Sequence, residues 1–362
     1  MSGRFTFLAA AFALAILPAA AAPLEETARP AAETMFKDGK PPALVIAVVR
    51  GGETFIAGFG ETAPGNKVTP NGHSLVRLAS LSKLLTSDVL AAMAADGKLA
   101  LSDPLQDHAP SGRTVPAAKG GGPITLLSLA THTSGLGREA KGERWAWLAK
   151  QTPKTPPETA ASYSNVAFDL LGDALATVGE APYPELLARY TTGPLAMRDT
   201  TASPNEEQCR RMIRGGIPAR PCADQADMAG AGGVYSTAAD MALWMRYQLS
   251  HDDAAGETRR TIGHRIYFPR DALSAAEGLD HAGEAAGIGL AWILLLPEEG
   301  ESGAPLLEKT GNIGGFMSYV ALVPDKGVGV FVAVARPGDP GPAMKAVVKG
   351  VNGLARTLAA GP

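Results

Sequence analysis

The sequence predicts an α+β fold: an antiparallel sheet flanked by helices, with an inserted, mostly helical domain. Three observations predict it. Apolar runs of strand length, joined by a Gly-Gly turn, open the chain at residues 43–59. Comparable runs, two of them joined by Pro324-Asp-Lys-Gly327, fill residues 306–334. Between 104 and 227 the pattern changes to short helical periodicities separated by Gly/Pro-rich loops, with little strand alternation. The expected division is a leader at 1–21, a discontinuous sheet domain at 24–103 and 228–362, and the helical domain at 104–227.

At the N-terminus, Arg4 supplies positive charge, Phe5–Leu17 is apolar, and Pro18 precedes Ala19-Ala-Ala-Ala22. This is the pattern of a cleavable export signal, with retention as an anchor the alternative. Leu24–Phe36 reads as an amphipathic helix. Ala43–Val49 and Glu53–Phe59 read as a hairpin around Arg50-Gly51-Gly52. A buried helix runs from Ser80 through Leu84, Leu85, Val89, Leu90 and Met93, and Gly97 ends it as a left-handed cap. Helical patterns follow at Thr125–Thr131, Arg144–Lys150, Asn165–Val178, Tyr183–Tyr190 and Ala238–Leu249. Gly289–Leu296, Leu306–Gly311, Phe316–Val323 and Val328–Val334 read as strands, and Ala343–Ala359 as a closing helix.

Composition narrows the function classes. An apolar fraction of 46% and a charged fraction of 19% suit a globular chain with a substantial core. A net charge of −3 supplies no electrostatic basis for nucleic-acid binding. The two cysteines, Cys209 and Cys222, bracket a loop containing Gly-Gly and two prolines. That loop suits a disulfide worth about 3 kcal/mol in the chain-entropy model. Without neighbouring histidines the pair makes a poor zinc site. No metal constellation and no cofactor motif is read elsewhere.

The chemistry rests on three short motifs. Ser80 and Lys83 stand at i and i+3 where a helix begins, on one face and about 5–6 Å apart. Lys83 can therefore take the Ser80 proton and activate the hydroxyl as a nucleophile. In the first turn the Ser80 N–H lacks a helical acceptor, so it is available to an oxyanion. Tyr163-Ser-Asn165 follows at the start of a helix, and Lys309-Thr-Gly311 at the end of a strand. Taken singly, each has an ordinary structural reading as an N-cap, a half-buried tyrosine or a strand end. Their joint occurrence in this order favours a site. His132, in Thr131-His-Thr-Ser-Gly135, is read as a structural histidine, and Glu139 and Glu143 as solvated loop carboxylates.

Ser-x-x-Lys, Tyr-x-Asn and Lys-Thr-Gly, once each and in this order, resemble the penicillin-recognising serine hydrolases. These comprise class C β-lactamases, DD-peptidases and related esterases. Gly97–Pro104, Ile124–Leu136 and Gly232–Asp240 support the resemblance, which covers essentially the whole mature chain. Arg77–Asp88, Tyr163–Leu171, Met197–Thr201 and Gln208–Cys222 look most like the D-alanyl-D-alanine carboxypeptidase/endopeptidase branch. The resemblance implies a β-lactamase/transpeptidase-like fold. It also implies a Ser80 acyl-enzyme, with Lys83 and Tyr163 handling the proton and Asn165 holding Lys83 and the substrate amide. Lys309, Thr310 and Gly311 would receive a terminal carboxylate, and the Asn312 N–H would join that of Ser80 around the oxyanion.

The expected function is that of an exported, periplasmic serine DD-peptidase whose partners are peptidoglycan peptides and β-lactams. No nucleic acid, metal or cofactor is expected, and peripheral association with the envelope is left open. The alternatives are a class C-type β-lactamase, an esterase, and a non-catalytic penicillin-binding sensor. The lactamase reading is weakened because Arg336 alone stands where that family places a carboxylate-recognising Asn and Arg after the last strand.

Overall fold

The computed structural model describes residues 23–118, 121–251, 253–279, 284–297 and 303–361; the leader read at 1–21 lies outside them. Twelve strands are named in chain order: β1 (Ala43–Arg50), β2 (Glu53–Gly60), β3 (Val76–Arg77), β4 (Ala161–Ser162), β5 (Tyr235–Ser236), β6 (Ile266–Pro269), β7 (Ala276–Glu277), β8 (Ala285–Gly289), β9 (Ile293–Leu295), β10 (Leu306–Ile313), β11 (Phe316–Val323) and β12 (Val328–Ala335). Eight of them form an antiparallel sheet in the order β2-β1-β12-β11-β10-β9-β8-β6. The two ends of the chain meet where β1 pairs with β12, Leu44 opposite Val334.

Both faces of this sheet are covered, which is why its central strands are continuous apolar runs. Along β1, Leu44, Ile46 and Val48 pack into one core with the N-terminal helix Leu24–Gly39 and the C-terminal helix Gly341–Ala360. Ala43, Val45, Ala47 and Val49 face the other core with helices Ser82–Ala95 and Ala238–Gln248. Period-two alternation thus divides one strand between two cores. The fold is β-lactamase/transpeptidase-like, as expected, and most elements fall within a few residues of their sequence-read positions. Gly97 takes φ +69° as the expected cap.

One expectation requires correction, and two elements are added. Gly289–Leu296 is not one strand: β8 ends at Gly289 and β9 begins at Ile293. Ala291, at φ +62°, reverses the chain, and Gly289 N donates to Trp292 O at 2.9 Å. Helix Ala254–His264 and strand β6 were not read from the sequence; β6 completes the far edge of the sheet, and the helix packs on Ser82–Ala95. Cys209 and Cys222 are joined, with S–S 2.08 Å and Cα–Cα 5.6 Å.

Asp88, on the helix that follows Ser80, ties that helix to its neighbour. Its carboxyl accepts from Trp244 Nε1 at 2.6 Å and from Gln248 Nε2 at 2.9 Å. Burial outweighs these donors and pushes its pKa up to about 7. Between pH 3.8 and 7 the folded chain therefore retains a proton that the unfolded chain releases. This contribution to stability is present at low pH and lost as pH rises through 7. In thermal melts the stability of the wild type relative to Asp88→Asn should fall by about 2 kcal/mol from pH 5 to pH 8. An unchanged difference would contradict the buried-proton account.

Candidate active site

A strained turn places Ser80. Ala79 has φ +52°, a conformation costing a non-glycine residue about 1 kcal/mol or more. The 3-10 turn Ala79–Leu81 runs straight into helix Ser82–Ala95, so positions i and i+3 eclipse and Lys83 stands over Ser80. Three hydrogen bonds hold the turn: Leu78 N to Val234 O at 2.9 Å, Val234 N to Ser82 Oγ at 3.1 Å, and Ser318 Oγ to Leu78 O at 2.7 Å. Strand β10 lies directly against it. A Cβ at Gly311 would sit 2.6 Å from Leu78 O, so only glycine lets the strand come this close.

The first two motifs converge on the Ser80 hydroxyl. Tyr163 Oη donates to Ser80 Oγ at 2.6 Å, and Lys83 Nζ lies 3.4 Å from the same oxygen. Lys83 is fully buried and also donates to Asn165 Oδ1 at 2.7 Å and Ala231 O at 2.6 Å. These acceptors match the three donors of an ammonium group. Tyr163 and Asn165 reach the same point because Ser164 between them is extended (φ −137°, ψ 116°), which puts alternate side chains on one face. Ser164 Oγ itself caps helix Asn165–Gly179 by accepting from Ala167 N at 3.1 Å.

The third motif surrounds this pair with positive charge. The Tyr163 ring centroid lies 5.0 Å from Lys83 Nζ, 5.3 Å from Lys309 Nζ and 4.6 Å from the Arg138 guanidinium. Lys309 and Thr310 are 2% and 7% exposed, whereas Asn312 opens to solvent. The electrostatic result is a cationic cleft suited to an anion beside a nucleophile. His132 lies at its back, stacked on Tyr163 at 4.4 Å, with Nδ1 accepting from Ser164 N at 3.1 Å. Burial, then Lys83, Lys309 and Arg138, hold its pKa well below the usual histidine range. It is a neutral packing group, in keeping with its sequence reading.

The Beta-lactamase family model matches residues 26–350. The chain belongs to the β-lactamase family. Within this family it is 38% identical to the D-alanyl-D-alanine-carboxypeptidase/endopeptidase AmpH of Escherichia coli K12, over 90% of this chain and 87% of that protein. It is 26% identical to a beta-lactamase of Pseudomonas fluorescens over 80% of this chain and 87% of that one. A solved beta-lactamase/D-alanine carboxypeptidase from Yersinia pestis, complexed with citrate, superposes with a TM-score of 0.87 at 37% identity. That match covers 92% of this chain and 98% of the other.

Two carboxylates near the site make contacts that the sequence did not reveal. Glu139, an exposed loop residue as read, also accepts from Asn165 Nδ2 at 2.5 Å. Glu143, by contrast, caps helix Arg144–Leu148 through Trp145 N and Ala146 N. The Arg138 carbonyl accepts from Asn165 N at 2.8 Å, and this loop-to-helix contact brings Glu139 to the site. Asp169 accepts from Ala231 N at 3.1 Å, behind the carbonyl that receives Lys83. Burial pushes its pKa up to about 7, opposed by Arg144 and Lys83. No periodicity or motif marks either residue. Its spacing from a later helix is what places Glu139, and only the folded loop reveals that.

Glu139 orients the Asn165 amide so that Oδ1, not Nδ2, meets the Lys83 ammonium. Glu139→Ala should lower kcat/KM about tenfold on an ester substrate, while Glu139→Gln, which retains an acceptor, restores most of it. Equal losses in the two variants would mean that the charge, not the acceptor, matters.

Proposed function

We propose that this chain is a serine DD-peptidase that removes D-alanine from peptidoglycan peptides through an acyl-enzyme on Ser80, and that β-lactams acylate the same oxygen. The observation that carries this reading is the convergence of Tyr163 Oη and Lys83 Nζ on Ser80 Oγ at 2.6 and 3.4 Å. Once the Lys83–Tyr163 pair has given up one proton to solvent, Ser80 Oγ attacks the penultimate D-Ala carbonyl and its proton passes to that pair, Tyr163 Oη being the nearer atom. The C–N bond breaks, and the departing D-Ala amine takes a proton from that pair. Water then hydrolyses the ester and releases the shortened peptide. The N–H groups of Ser80 and Asn312 would hold the oxyanion, and Lys309 and Thr310 the terminal carboxylate; losing one such oxyanion donor typically costs about 10²–10³ in rate.

The similarity to AmpH supports the carboxypeptidase/endopeptidase assignment. The leader read at 1–21 and the Cys209–Cys222 disulfide support a periplasmic location. The division into a sheet domain and a helical domain at 104–227 would place Tyr163 and Asn165 on one side of the cleft, and Ser80 and Lys309 on the other. The test is D-alanine release from a muropeptide pentapeptide, set beside hydrolysis of nitrocefin and of a short-chain nitrophenyl ester. Release at rates well above those of the other two substrates is expected. Nitrocefin turnover without D-alanine release would favour a lactamase instead.

A further inference from the structure

Beyond the catalytic cleft, a cavity of about 540 Å³ lies at the turn that follows β10. Gly314 and Gly315 line it, together with three arginines, Arg210, Arg214 and Arg220, one carboxylate, Glu206, and both disulfide-bonded cysteines. These two positions are glycine for a physical reason. Gly314 and Gly315 have φ +56° and +84°, and a Cβ on Gly315 would lie 2.8 Å from Pro218 O. The turn is thereby bare of side chains toward the loop 209–222. The loop is anchored in turn by Arg77, whose Nη2 donates to Pro221 O at 2.6 Å.

The charge of this cavity is unbalanced. In a chain of net charge −3, no carboxylate lies within ion-pair distance of Arg214 or Arg220 among the described residues, and Arg210 meets only the exposed Glu206 at 3.4 Å. Arg77, 4% exposed, lies behind the two glycines with a buried Nε that has no partner. An added Cβ at Gly314 would lie 3.1 Å from Arg77 Nε and 3.3 Å from Arg220 Cδ, so cations approach this turn from two sides. Arg214 and Arg220, without a carboxylate partner among the described residues and beside exposed backbone, make a receptor for carboxylates.

The position of the cavity relates it to the substrate. If the terminal carboxylate sits at Lys309 and Thr310 and the scissile carbonyl near Asn312, the acyl side of the peptide runs along β10 toward Gly314. At about 3.3 Å per residue, Asn312 to Gly314 spans roughly 7 Å, or about two extended residues on the acyl side of the scissile bond.

We propose that the arginine-lined cavity is a subsite for acidic peptides, binding side-chain or α-carboxylates a few residues before the scissile bond. This rests on the DD-peptidase reading.

The test compares the pentapeptide L-Ala-γ-D-Glu-diaminopimelyl-D-Ala-D-Ala with the same peptide amidated on its Glu and diaminopimelate carboxylates. At low salt the wild type should prefer the acidic peptide by about three- to tenfold in kcat/KM, a preference that shrinks with added salt. Arg214→Gln/Arg220→Gln should bring the ratio close to one. Calorimetric titration of Ser80→Ala with both peptides reads binding independently of turnover. Normal D-alanine release with no preference at any salt concentration overturns the subsite and spares the activity. No release, with acidic-peptide binding that the two arginine substitutions abolish, overturns the activity and spares the subsite. Equal binding of both peptides by Ser80→Ala, with or without the arginines, also overturns the subsite.

Discussion

Ser80→Ala should lower kcat/KM for D-alanine release by about 10⁴-fold or more, as removal of the nucleophile does in serine hydrolases generally. The same variant should show no mass increase on incubation with a β-lactam, because no covalent adduct can form. Its stability should change by less than about 1 kcal/mol, since the hydroxyl is partly exposed and gives up one side-chain hydrogen bond to Tyr163 and a long one to Lys83. The joint result is what matters: lost chemistry in an intact fold. Residual turnover within tenfold of the wild type would remove Ser80 from the mechanism, and with it the acyl-enzyme.

Lys83→Met should be the second most damaging change, lowering the acylation rate by about 10²–10⁴-fold through loss of proton transfer. Methionine keeps the apolar stem and removes only the ammonium. Asn165 Oδ1 and Ala231 O would then lose the donor that now lies 2.7 and 2.6 Å away. Each orphaned acceptor costs about 1–3 kcal/mol, partly offset because a buried charge is no longer desolvated. A modest fall in melting temperature beside a large fall in rate is therefore expected. The check is stopped-flow acylation by nitrocefin together with a thermal melt. Acylation within tenfold of wild type would shift the base role wholly to Tyr163.

Much of this site was legible in the chain. The i,i+3 spacing of Ser80 and Lys83 and the i,i+2 spacing of Tyr163 and Asn165 are local, set by helix and strand periodicity, and the structure uses both. The Lys309-Thr-Gly strand end was readable for the same reason. Glu139 was not legible, because an exposed loop carboxylate has the same local signature whether or not a distant amide meets it. Nor was the turn at Ala291, where an alanine, like Ala79, takes a left-handed conformation that its residue type does not signal. Helix Ala254–His264 was missed because it is short and poor in large apolar residues, burying Gly256, Arg260 and Gly263 where it packs on Ser82–Ala95.

Sequence by itself determined the type of most elements, the motif order and hence the family. Those features depend on residue type and on spacings of two to four, which short-range backbone geometry dictates. Only the tertiary structure decided that Tyr163, 83 positions from Ser80, lies 2.6 Å from its oxygen, or that Gly311 must be bare to meet Leu78 O. Such distances follow from how two cores pack against one sheet, and side-chain packing at that precision is a property of the whole fold, carried by no segment alone.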